Sequence, residues 1–406
     1  MSAPPGSFVI TNARIVDPAK DGVEIGSIVI ENGKIGGTSS GESFDAKGTT
    51  LAPGIVDLGA FAVDKAACRF GGITRVALMP DQARVLDDPG LIERAAKAAK
   101  PDLWVHPMVA ATRGLAGCEL AEMGLAQRSG ARAVATGRTR IADAGVMLAV
   151  LRYAKALGLT VIAHAEDEGL TRGAAATAGE TATRLGLPSA PSSAEAMAVA
   201  RDIALVEESG AALHFRQITT ASGLDLVRNA KRAGLPVTCG ITPAHLFLSE
   251  TGIGEFRTFA RLSPPLRSEN DRKACLAAIA DGTIDVIASG HDPRGAEDKR
   301  LPYADAEPGM AGAATLLALS LGLVRDGLVT LNRLFALLST HPARVLGVNA
   351  GSMANGAEAD LILIDTDTPW QIDAAKMSGS AGNTPFDGLP VQGKVRAMWK
   401  GGRPVH

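Results

Sequence analysis

Histidines, carboxylates and arginines recur where short apolar runs end. Asp57-Leu-Gly59-Ala-Phe61 follows the first such run, and His106 follows the third. Further on stand His164-Ala-Glu166-Asp167, His214 with Arg216 and Gln217-Ile-Thr-Thr220, Thr242-Pro-Ala-His245, and Gly290-His291-Asp292-Pro293 with Arg294. Imidazoles and carboxylates bind metals and carry protons near neutral pH, and guanidinium groups hold anions. None of these groups does much alone, so the question is what fold gathers them. No G-x-S-x-G, P-loop, H-E-x-x-H or G-x-G-x-x-G element supplies a separate chemistry. The four cysteines, Cys68, Cys118, Cys239 and Cys275, form no C-x-x-C pair and read as buried, reduced thiols.

The runs themselves predict strands at Ile55–Ala60, Ile73–Met79, Leu103–Val109, Ala131–Thr136, Thr160–His164, Ala212–Ile218, Val237–Ile241 and Ile284–Ser289. Each is apolar almost throughout, as a strand buried on both faces must be. Helical spacing separates them. Val146, Met147, Val150, Leu151, Ala154 and Leu157 form one apolar stripe that stops at Gly158, and Leu224, Val227 and Ala230 form another that ends at Gly234. Eight strand–helix units predict an α/β fold, a (β/α)8 TIM-like barrel over residues 53–349. Such a barrel presents the C-terminal ends of all its strands on one face, which is where the polar residues above would meet. Before and after it the pattern is β: Phe8–Ile10, Ala13–Val16 and Gly26–Glu31, then Asp360–Asp365 and Val395–Trp399. Residues 1–52 and 350–406 are therefore expected to form one small β-sandwich into which the barrel is inserted.

A formal charge of −2 and 15 aromatic residues (10 Phe, 3 Trp, 2 Tyr) offer neither the basic field nor the stacking surfaces of a nucleic-acid binder. The N-terminal stretch lacks the pattern of a secretory leader, and the longest mostly apolar stretch, Met310–Val324, is too short to span a bilayer. A cytoplasmic protein is expected, with no membrane partner. Arg172–Ser193 and Arg294–Met310, rich in small, charged and proline residues, are expected to be mobile loops.

Several ordered stretches resemble the dihydroorotase branch of the amidohydrolase superfamily: PGIVDL (53–58), GGITRVALMP (71–80), HAED (164–167), QITT (217–220) with TPAHL (242–246), PPLRSENDR (264–272), DGTIDVIASGHDP (281–293), GAEADLILID (356–365) and NTPFDG (383–388). The resemblance covers nearly the whole chain. It implies a metal-dependent hydrolase barrel and, in active members, zinc-dependent hydrolysis of a cyclic amide in pyrimidine synthesis. It also implies where the ligands should stand: a His-x-His pair after the first strand, a carboxylate or carboxylated Lys after the fourth, one His each after the fifth and sixth, and an Asp after the eighth.

Matched position by position, the ligand pattern is degenerate. Gly59 and Phe61 replace the His pair, no Asp or Lys stands near Thr136 and Gly137, Gln217 replaces the sixth-strand His, and Gly290 replaces the eighth-strand Asp. Only His164 is retained. The groups that would recognise the substrate are also exchanged, with Val63 for an Arg, Asp81 and Ser263 for Asn, and Arg294 for a His; the stretch from Phe61 to Gly71 is shorter than the family pattern. The expectation drawn from this is a catalytically inactive dihydroorotase-like chain without cofactor. It would serve as a structural or regulatory subunit bound to aspartate carbamoyltransferase, as metal-free members of the family do, with homo-oligomer formation left open. Two other readings stand beside it: an active cyclic amidohydrolase with a rearranged zinc site, and a binding module that holds a small anion near Arg216 and Arg294. His214, His245 and His291 with Asp292 are the residues from which a new metal site could be assembled. Glu166 and Asp167 read as residues that hydrogen-bond to backbone or cap the following helix, and His106 as a polar residue at the rim.

Overall fold

The computed structural model describes residues 7–38 and 41–405. The first six residues, read above for a leader, lie outside them. Eight parallel strands run in chain order around a nearly closed barrel: Ile55–Ala60, Ile73–Leu78, Trp104–Ala110, Ala133–Ala135, Val161–Ala163, Leu213–Phe215, Val237–Ile241 and Val286–Ile287. All eight predicted strands are present. Several are shorter than their apolar runs, because burial continues past the last ladder hydrogen bond. The seam between the eighth strand and the first is closed by side chain and loop: Asp57 accepts from the Ser289 N–H at 2.8 Å and from its hydroxyl, and the Phe61 N–H donates to the His291 carbonyl at 2.8 Å.

The helices obey the spacing that announced them. In Ala144–Ala156, Met147, Val150, Leu151 and Ala154 are buried, and the Asp143 carboxylate caps the first turn by accepting from the Val146 N–H. Thr220 caps Ala221–Arg232, whose Leu224, Val227 and Ala230 face the barrel. The Met310–Val324 stretch is largely the buried helix Leu316–Arg325; among the described residues no helix is long and apolar enough to cross a membrane.

Strands from the two ends of the chain share one eight-stranded sheet. Phe8–Val16 is a single strand where two were expected. Its register against Val23–Glu31 shifts between Ile10 and Ala13, at Asn12 with φ 52°, so a bulge interrupts the alternation without ending the pairing. Thr50–Pro53 pairs with Leu361–Gln371, which pairs with Pro390–Lys400. Ile10, Ile30, Leu51, Leu361 and Trp399 form this sheet's own apolar core.

The sheet is joined to the barrel through buried charge. Arg75, on the second barrel strand, donates from Nε to Asp360 at 2.8 Å and pairs with Glu358; Lys400 donates to Asp360 at 2.8 Å, and the Trp104 ring lies against both cations. His106 belongs to this cluster. It is buried within the third strand, 3.4 Å from Arg75, rather than at the rim, and burial pushes its pKa down to about 3.

The two segments expected to be mobile are packed. Ala175, Ala176 and Ala182 from the first form a small core with Tyr303 from the second and Ile253. Lys299 donates to the carbonyls of Thr258, Arg261 and Glu307. Three cysteines are buried as expected, but Cys118 is exposed; all four are free.

Candidate active site at the barrel mouth

The C-terminal strand ends surround a cavity of about 260 Å³, lined by Phe61, Arg138, Arg216, Gln217, His245 and Asp292 among others, and a neighbouring one of about 210 Å³ shares Arg138 with it and adds Arg140, His164 and Glu166. The charges here are set in a definite order. Arg267 is buried and donates to Glu166 at 2.6 Å, to the Thr219 hydroxyl at 2.9 Å and to Thr177 at 3.3 Å, while Glu195 lies 3.6 Å away. Glu195, fully buried on the Ser193–Ser209 helix, accepts from the backbone and hydroxyls of Thr219 and Thr220 and so holds the turn after the sixth strand. Burial alone would raise the Glu166 pKa, but Arg267 and His164 outweigh it and bring it down to about 2. Glu166 is therefore an ion-pair partner and not a helix cap. Asp167 does cap, accepting from the Leu170 N–H, and also pairs with Arg140.

His164 has no lone pair to spare. Arg216 Nη2 lies 3.1 Å from Nδ1, and since a guanidinium can only donate, Nδ1 accepts; the ring proton then sits on Nε2, 3.5 Å from Glu166. His245 is similarly committed: Nε2 donates to the Pro264 carbonyl at 3.0 Å, which leaves Nδ1 to accept from the Thr242 hydroxyl at 2.8 Å. Burial lowers its pKa to about 4, that of His291 to about 4 and that of His214 to about 3. His214 bonds Thr238, not the mouth, so the three histidines and Asp292 do not assemble into a new metal site. Among the described residues no group of three or more His, Cys, Asp or Glu is placed to hold an ion.

The positions that replace the family ligands are filled by other structure. The Phe61 ring lies under two guanidinium groups, Arg138 at 3.9 Å and Arg216 at 5.1 Å. Gly59 has φ +98°, and a Cβ there would already lie 3.5 Å from Arg216 Cγ and 3.6 Å from Cδ. The Thr136 hydroxyl accepts from the His164 N–H. At Gly290 φ is +59° and a Cβ would meet Thr242 at 2.8 Å, so an Asp there would be both strained and crowded. These donors do not fit a dinuclear zinc centre.

Sequence reasoning overlooked Arg138, Arg140 and Arg267. Arg138 donates to Asp292 through both terminal nitrogens, one at 3.0 Å, and Arg294 donates to the same carboxylate at 3.0 Å. Asp81 accepts from the Arg138 N–H at 2.9 Å and so orients the loop that carries it. A search of the fourth-strand end for an anionic ligand passes over Arg138-Thr-Arg140, although two arginines just past a barrel strand are themselves a signal of anion chemistry.

Residues 68–405 match the model of the Amidohydrolase family. The chain belongs to that family. A protein named dihydroorotase from Anaeromyxobacter dehalogenans is 37% identical over 420 residues, covering 98% of this chain and 97% of its own length. One named dihydroorotase-like protein from Pseudomonas aeruginosa is 36% identical, covering 98% and 99%. Among solved structures, the L-hydantoinase (dihydropyrimidinase) from Arthrobacter aurescens superposes with a TM-score of 0.86 at 23% identity over 98% of this chain and 95% of that one, which shows the fold. The expectation of an inactive chain is corrected by these relatives, since an enzyme's name attaches to proteins alike over the whole length.

Proposed function

We propose that the chain is a dihydroorotase-like hydrolase that opens and closes a cyclic amide ring in pyrimidine synthesis. The observation that carries this reading is the 37% identity to a dihydroorotase across 98% of the chain. The concave, mixed polar and apolar cavity at the strand ends supports it.

Hydrolysis of a ring amide needs positive charge where the carbonyl oxygen becomes negative, and a group that moves a proton between water and the ring nitrogen. In this reading the Arg138 guanidinium, fixed over Phe61, supplies the charge. Asp292 moves the proton. It is buried at the cavity wall, its N–H bound to the Met310 carbonyl at 2.7 Å and its carboxylate oriented by Arg138 and Arg294. Phe61, Leu262 and Met310 supply the apolar wall that limits water.

Purified chain incubated with dihydroorotate should release carbamoyl aspartate, measured by chromatography. Asp292→Asn should lower the rate by about 10²-fold or more. No turnover above a protein-free control would overturn the reading. The resemblance also motivates a partner, aspartate carbamoyltransferase, for which co-elution on size exclusion is the check; separate elution at micromolar concentration would remove it.

A further inference from the structure

Arg216 lines the mouth but has no part in the proposed chemistry. It is a guanidinium buried to 6% exposure, yet among the described residues no carboxylate lies within ion-pair distance of it. Its Nη2 meets the neutral acceptor Nδ1 of His164, and its Nε has no hydrogen-bond partner. The nearest compensation is long-range. Asp292 and Glu166, which attract it, are paired with other arginines, and Asp81, the strongest attraction, accepts from the Arg138 N–H with one oxygen and leaves Oδ2 without a partner, beyond ion-pair distance of Arg216. Arg138 repels it.

Beside it Gln217 is equally unsatisfied: buried, lining the same cavity, with Oε1 lacking a partner. A buried unpaired charge is costly, and so is a buried amide without hydrogen bonds. Two such groups on consecutive residues, facing one cavity, mark a place where a ligand completes the structure.

We propose that Arg216 and Gln217 form a binding site for a small ligand that carries a carboxylate next to an amide. The carboxylate meets the Arg216 guanidinium, and the amide N–H donates to Gln217. A carboxylate suits the site better than a phosphate dianion, because Arg216 is the guanidinium lining this cavity that lacks an ion-pair partner and Asp81 nearby already carries a negative charge. The cavity of about 260 Å³ suits a ligand of metabolite size. The room for Arg216 comes from Gly59, whose missing side chain leaves the guanidinium stem free to pass. The inference rests on the proposed cyclic-amide reading, for which it names the groups that hold the substrate; binding requires no ring to open, so it is tested separately from turnover.

The test uses N-acetylglycine, which has the carboxylate and the amide but no ring, against N-acetylglycinamide, which has nearly the same shape without the charge. Isothermal titration of the full chain should show N-acetylglycine binding about tenfold more tightly or better. Arg216→Met should abolish that preference, Arg216→Lys should retain part of it, and Gln217→Leu should weaken both probes alike. Circular dichroism confirms that each variant is folded. Equal affinity for the two probes, no binding of either, or full preference in Arg216→Met would overturn the proposal. Inorganic phosphate binding more tightly than N-acetylglycine would overturn the carboxylate assignment.

Discussion

Two buried arginines on the same barrel make opposite arrangements. Arg75 sits against the terminal sheet with Asp360, Glu358 and Lys400, two cations against two carboxylates, stacked on Trp104. Arg216 sits at the mouth with a neutral imidazole, an aromatic ring and an unpaired nitrogen. The first cluster is closed and joins two layers of structure. The second is open, and an open buried charge is what a protein keeps when something else is to meet it. The same residue type thus reads as structure in one place and as a ligand contact in the other, and the local charge balance decides which.

The largest effect is expected at Asp360. Asp360→Ala leaves Arg75 and Lys400 facing only the partly exposed Glu358, so stability should fall by about 3–5 kcal/mol in urea denaturation, as when one partner of a buried pair is removed. A loss below about 1 kcal/mol would mean that this cluster is not the structural joint described.

Acid has the next largest effect. The Glu166 carboxylate, held near 2 by Arg267 and His164 against the effect of burial, should contribute stability that is complete above its unfolded pKa and lost as pH falls from about 4.5 towards 2. The contribution is on the order of 3 kcal/mol. Measured stability across that window should fall more steeply in wild type than in Glu166→Gln; parallel curves would remove Glu166 from the account.

The smallest effect is expected at Arg216. Arg216→Met strands no carboxylate and removes a buried charge that has no ion-pair partner, so stability in the absence of ligand should not fall by more than about 1 kcal/mol, and a rise is expected. A loss as large as that of Asp360→Ala would place Arg216 among the structural charges.

How much of this was legible in the sequence depended on how local the cause was. Ile55–Ala60 and Val237–Ile241 are strands from end to end as read, because a continuous apolar run is itself the signature of a doubly buried strand. The stripe from Met147 to Ala154 is local in the same sense. The ion pair of Glu166 is not legible in the sequence, because its partner, Arg267, is 101 residues away and no spacing rule connects them. The small and turn-forming residues of Arg172–Ser193 point to a mobile loop, whereas its order comes from Tyr303 and Ile253, again distant in sequence. At the site, Gly59, Phe61, Gln217 and Gly290 could each be read as a missing ligand. What occupies the space instead, Arg216 crossing Gly59 above the Phe61 ring, is a three-dimensional fact.

The most direct measurement is a crystal structure of the chain soaked with dihydroorotate. The ligand is expected in the cavity between Phe61 and Met310, its carboxylate on the Arg216 guanidinium and its ring amide towards Arg138 and Asp292, with no metal peak beside His164. A metal ion coordinated by His164, or a ligand bound with Arg216 still unpaired, would contradict this.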